Sequence, residues 1–279
     1  MSEVRFIIRY TGGNAENHKL DLYDAATSIH GLAKALAITT HALVTEGEIR
    51  SKGGSIPDVN FFLHPPQKGS FVEIVTIAFE DPAVKVIGAS VLTSVFWDML
   101  NYTWKIASGK NATPTQRIPK KILAKNDTFP QEIADVLEKS LQQIHRPILH
   151  DNNIKIEVKR PKKGVVIEFN RETLNHVYLQ DEPQIQDNIS GNVTKYNILS
   201  GYGRFYDDVN QKTIPFNLGS DIISQDKEVL TTSLSDASKG DGGKILLRAK
   251  VINDRTGHVK RYIIENARKN NDSGLQAIQ

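Results

Sequence analysis

The 279-residue chain contains no cysteine. That excludes disulfides, thiolate nucleophiles and Cys-ligated zinc or iron–sulfur centres. Net charge is also scarce: 35 basic against 32 acidic side chains leave +3, too little to point to a polyanionic partner. A long hydrophobic run is missing as well. Val86 to Trp97 is uncharged for 12 residues, and Asp98 then interrupts the stretch that reaches Trp104. A spanning helix needs about 20 apolar residues. Ser90, Thr93, Ser94, Asp98 and Asn101 make this segment more polar than a span, so a buried helix over 82–108 is expected, and no membrane. The opening MSEVRFIIRYTGG has neither the basic nor the apolar region of a secretory signal, and a cytoplasmic chain is expected. Neither Gly12-Gly13 nor Gly201-Tyr202-Gly203 has the spacing of a P-loop or a dinucleotide fingerprint, and no nucleophile elbow occurs.

What is present is the composition of a packed α+β protein, with 39% hydrophobic and 24% charged residues. At about 150 residues per domain, two domains are expected. Charge is unevenly spread along the chain. Residues 1–104 carry −3, 105–163 carry +7, and 180–279 balance. A basic middle between near-neutral blocks reads as a linker, a basic surface, or both.

Val4, Phe6 and Ile8 alternate with Arg5, Ile7 and Arg9, which predicts a strand. Asp21 is a good helix N-cap, and Leu22, Ala26, Ile29, Ala33, Leu36, Thr40 and Leu43 form one stripe of a helix ending near Gly47. A second face of that helix, Thr27, Gly31, Ala35, Ile38 and Ala42, is mostly small and would admit a close neighbour. Two β-prone runs, 59–63 and 70–79, form a hairpin around Pro65, Pro66 and Gly69, and Asp81-Pro82 opens the next helix. Residues 110–129 hold Pro114, Pro119 and several lysines, the best linker candidate. Thr128-Phe129-Pro130-Gln131 then resembles a capping box opening another helix. A second hairpin joins 154–159 to 164–169 around Arg160-Pro161-Lys162-Lys163. The last hundred residues read as strands at 189–198, 202–208 and 213–218, a helix near 226–235, and strands at 244–253 and 257–265. That is the element order of the OB-fold. The expected layout is thus an N-terminal α+β domain (sheet with packed helices) at 1–109, a basic linker, helix and hairpin at 110–180, and a small OB-like five-stranded β-barrel at 181–267.

Two stretches, DLYDAATSIHGLAKALAITTHALVTEGEIR at 21–50 and HPPQKGSFVEIV at 64–75, resemble a group of uncharacterised bacterial proteins. In that group an α/β domain of unknown function is followed by a five-stranded β-barrel domain. The resemblance implies a two-domain layout and brings no activity, cofactor or catalytic residue.

Three functional readings follow. The first is a non-enzymatic binding or regulatory protein acting through protein–protein contacts, and as a homo-oligomer. Its interaction face includes His30, Lys34 and His41, which fall together on the helical wheel beside the small-residue face. The alternative is a nucleic-acid or nucleotide binder using Lys155, Lys159, Arg160, Lys162 and Lys163 of the basic hairpin with Tyr202, Arg204 and Tyr206 of the barrel. Tyr196, Phe205 and Tyr262 add aromatics there, and Arg248, Lys250, Lys260 and Arg261 add charge. The third is a metal-dependent enzyme built on His18, Asp21, Asp24 and His30, whose spacing matches no ligand motif. No cofactor, metal or catalytic residue is expected.

Overall fold

The structure, a computed structural model, describes residues 2–50, 53–64, 72–81, 84, 87–178, 183–240, 242–255 and 257–270. The chain divides into two compact units, Met1–Tyr178 and Leu179–Gln279.

The first unit begins with β1 (Ser2–Thr11), a short 3-10 turn (Gly13–Asn17), α1 (Leu22–Val44), and the strands β2 (Val59–His64) and β3 (Val72–Phe79). Four helices follow: α2 (Leu92–Ala107), α3 (Arg117–Lys125), α4 (Phe129–Ile144) and the single turn α5 (Arg146–His150). The unit ends with β4 (Lys155–Arg160), β5 (Gly164–Phe169) and α6 (Arg171–Val177). The five strands form one sheet in the order β2-β3-β1-β4-β5, antiparallel at every step. Because β4 pairs with β1 between Thr11 and Lys155, residues 110–178 belong to this unit.

Alternation sets the core. Val4, Phe6, Ile8 and Tyr10 of β1 are buried, and Phe6 meets Trp97 at 4.7 Å and Phe96 at 5.4 Å between ring centroids. Trp104 of α2 donates its indole N–H to Thr39 Oγ1 of α1 at 2.9 Å, so the one polar edge of a buried ring is satisfied. The small residues of α1 decide how closely α4 approaches. A Cβ added at Gly31 would lie 2.6 Å from the Ser140 carbonyl oxygen and 2.8 Å from Ile144 N. Beside it, Ser28 Oγ donates to the Ile144 carbonyl at 2.9 Å and bonds Tyr10 OH at 2.9 Å, joining helix, helix and sheet.

Four expectations are corrected here. The buried side of α1 is the small-residue face with Leu32 and Leu36, whereas the stripe's first residue, Leu22, is 83% exposed. A helix packed between a sheet and a second helix buries two faces, and the stripe described only one. The long helix over 82–108 is interrupted: Gly88, at φ 94°, and the turn at 89–91 come before α2 begins at Leu92. Residues 117–125 of the expected linker are the helix α3. Its start is capped across the fold by Asp98, whose carboxylate accepts from Thr115 N, Thr115 Oγ1 and Gln116 N. Thr128 stands at the start of α4 without a capping bond from its side chain, which donates instead to Glu132 Oε1. The turn at 65–69 and Pro82 lie outside the described residues. Among those described, no helix is long and apolar enough to cross a membrane.

The second unit is a closed five-stranded barrel of β6 (Gln184–Tyr196), β7 (Gly203–Asp207), β8 (Lys212–Leu218), β9 (Ile245–Asn253) and β10 (Val259–Lys269), with α7 (Ser224–Lys239) between the third and fourth strands. Strand order around the barrel is β10-β8-β7-β6-β9, closed by the parallel pair β8–β10. This is the expected OB-like order, and the molecule is α+β. Leu230 of α7 joins Val193, Phe205, Phe216 and Tyr262 in the barrel core. Asp226 in the first turn of α7 accepts from Ile223 N and from Ala267 N of β10, tying the helix to the barrel.

Replacing Gly31 by Ala gains about 1 kcal/mol in helix propensity. It also presses a methyl group on backbone atoms of α4, at a cost of about 1–3 kcal/mol. Gly31→Ala is therefore expected to lower the unfolding midpoint in urea, with an unchanged slope.

Candidate functional site

The two edges of the first sheet differ. β5 is an edge flanked by the exposed Lys162 and Lys163 at its turn and carries Glu168, and charges of this kind discourage edge-to-edge pairing. β2, the other edge, reads Val-Asn-Phe-Phe-Leu-His and carries no formal charge. Phe62 is 48% exposed and Leu63 54%. Phe61 and Leu63 lie on the strand phase that pairs with Ile77 and Val75, facing the helices, and Phe62, out of that phase, also borders the cleft described next.

Between that strand and α1 lies a cleft of about 120 Å³. Ile29, Leu32, Ala33 and Leu36 form its helical wall, and Phe61, Phe62, Leu63 and Val75 its sheet wall. The cleft exists because α1 turns its small face toward α4, leaving Ile29 half-buried and Ala33 exposed on the other side. Glu73 is the one charged side chain among the described lining residues. Its register partner on β1 is the buried Ile8, so its carboxyl points to the apolar side of the sheet. Only 7% of Glu73 is exposed, and among the described residues it has no hydrogen-bond or ion-pair partner. Burial raises its pKa above the ordinary carboxyl value. An apolar cleft with one acid that has no partner among the described residues is suited to holding apolar side chains and a single cation. Sequence reasoning missed it, yet a signal was there: Glu73 falls in the apolar phase of its strand, with Val75, Ile77 and Phe79.

The residues singled out from the sequence are distributed elsewhere. Lys155, Lys159, Arg160, Lys162 and Lys163 do share the β4–β5 hairpin of the first unit, and Lys162, at φ 63°, and Lys163 are exposed at its tip. Lys159 stands 3.6 Å from Glu157, and Lys155 3.9 Å from Glu168. Tyr202, Arg204 and Tyr206 belong to the second unit, where Tyr206 is exposed and the other two half-buried. Phe205 and Tyr262 are core residues, and Tyr262 OH donates to the buried Asp207 carboxylate. Arg248 and Lys250 lie against Glu265, at 3.6 and 2.8 Å. His30, Lys34 and His41 lie along α1, with His30 exposed and His41 Nδ1 3.1 Å from the Glu48 carbonyl.

Asp21 caps α1, accepting from Asp24 N. Asp24 engages Arg146 Nε at 3.1 Å and His150 Nδ1 at 2.7 Å, groups from α5 rather than His18 or His30. Arg146 in turn lies 4.7 Å over the Tyr23 ring. Among the described residues no cluster of three or more His, Asp or Glu could hold a metal ion. His145 is fully buried between Thr173 Oγ1 and the Leu141 carbonyl, and burial pulls its pKa down to about 4. It is a neutral packing link, out of reach of a substrate.

Because folding favours the protonated form of Glu73, its contribution to stability falls as pH rises past the ordinary carboxyl range. Glu73→Gln should match the parent in melting temperature near pH 4 and exceed it increasingly toward pH 7. Thermal denaturation of both proteins across that interval checks the sign.

No curated protein matches the chain. Two family models do: a domain of unknown function (DUF7946) at residues 6–178 and a family of unknown function (DUF7947) at 186–268. The two matches fall on the two compact units, the second of them the five-stranded barrel. By these matches, the chain belongs to the family defined by DUF7946, here followed by a DUF7947 barrel.

Proposed function

We propose that this chain is a non-enzymatic binding protein, acting in the cytoplasm, whose partner protein seats on the β2 edge and the cleft beside it. One observation carries the reading: an uncharged, aromatic edge strand borders an apolar cleft on the same side of the sheet. Edge strands that stand alone in water are usually blunted by charge, proline or a covering element; β2 carries neither charge nor proline within Val59–His64, with Pro57 and Asp58 before it and Pro65-Pro66 after it in the sequence. An exposed edge of this kind is the template for strand addition by a partner. The small face of α1 is covered by α4 within one chain and so does not itself supply a contact for a second copy.

Nucleic-acid binding through the barrel has less behind it. Two of its cations are paired with Glu265, two of its aromatics fill the core, and the basic hairpin belongs to the other unit. Tyr206 with Arg204 remains the patch on which a base could stack.

Site-specific photo-crosslinking in cells separates the readings. A photoreactive residue at Phe62 should give a discrete protein adduct that the same residue at Lys163 does not. An adduct with nucleic acid from Tyr206, with none from Phe62, would reverse the order of the two readings.

A further inference from the structure

Accepting the cleft as the protein-binding surface, we infer that its occupant is an extended segment of a partner protein, added as a strand along β2, with aliphatic side chains on one face and a lysine or arginine directed at Glu73. The inference rests on that surface and adds the chemistry of what fills it.

Three observations converge. Among the described residues β3 is the one strand laddered with β2, and Ile56 bridges Val59 at its start, so an incoming strand meets an unpaired backbone edge from Asn60 onward. Side chains of such a strand alternate, and every second one would point to the face shared by Phe61 and Leu63, toward Leu32 and Leu36. Glu73 pairs in register with Ile8, placing its carboxyl on that same face, one residue beyond the His64–Ile74 pair and two strand spacings from the line of the incoming backbone. Two spacings are about 10 Å, which a glutamate and a lysine or arginine together can span. An unpartnered acid in an apolar wall is costly alone and favourable once a cation reaches it.

The charge pattern also argues against a second copy of this chain as the occupant. Two-fold pairing of β2 with itself would bring Val59, Asn60, Phe61, Phe62, Leu63 and His64 to the cleft, with no lysine or arginine among them. A partner of different sequence satisfies Glu73 where a copy does not.

The test uses two synthetic peptides on the full chain: acetyl-Thr-Leu-Thr-Lys-Thr-Leu-Thr-amide and the same peptide with norleucine in place of lysine. Binding is followed by two-dimensional NMR titration of the parent and of Glu73→Gln. The lysine peptide should bind the parent at least tenfold more tightly than the norleucine peptide, shifting β2 resonances. In Glu73→Gln that preference should disappear. Equal affinities of the two peptides for the parent, or shifts confined to other strands, would overturn the inference. So would light scattering that gives a dimer of the 31.1 kDa chain dissociated by Phe62→Lys, since a second copy would then own the edge. If neither peptide binds while the crosslinker at Phe62 still captures a protein, the stated occupant is wrong and the binding surface stands. If the crosslinker captures nothing either, the surface itself fails.

Discussion

The first unit depends on how closely α1 and α4 approach at Gly31. No side chain separates them there, and Ser28 fastens the contact by donating to the Ile144 carbonyl while bonding Tyr10 of the sheet. Packing at this density leaves little freedom to rotate α1 about its axis. With the small face committed to α4 and Leu32 and Leu36 to the sheet, Ile29 and Ala33 are left as an apolar wall beside β2. The cleft is thus a consequence of the core rather than an ornament on it.

Glu73 gives that cleft its polarity. Every other described lining side chain is aliphatic or aromatic, so the carboxyl lacks donors there and partial desolvation disfavours its ionised form. A group of this kind lowers the stability of the free protein at neutral pH and adds a charge-selective contact when a cation arrives. Local sequence rules are often broken where a protein binds, and in the proposed site the break falls at a single residue.

The barrel was the most legible part of the sequence. Its strands alternate cleanly and turn at glycine and asparagine, so five strands and a helix near 226–235 were placed close to their observed positions. The strand β1 and the β4–β5 hairpin were legible for the same reason. The orientation of α1 was not, because two faces of that helix are buried and a single periodic stripe cannot say which meets the sheet. Helix α3 was hidden by its prolines and lysines. Its N-terminus is held by Asp98, 18 residues before Gln116, and a bond across the fold leaves no local trace. The candidate site was least visible of all: the basic and aromatic clusters drew attention, whereas the site turns on one acid in the wrong phase of a strand. A residue out of phase with its neighbours was the better signal.

The proposed function requires β2 to be the edge that a partner completes. Amide hydrogen exchange on the full chain, with and without the lysine-bearing peptide, measures this directly, since strand addition protects alternate β2 amides and little else. Slowed exchange across Val59–His64, with the barrel strands unchanged, is the predicted result. Unchanged exchange in β2 under saturating peptide, or protection confined to β7 and β8 of the barrel, would contradict it.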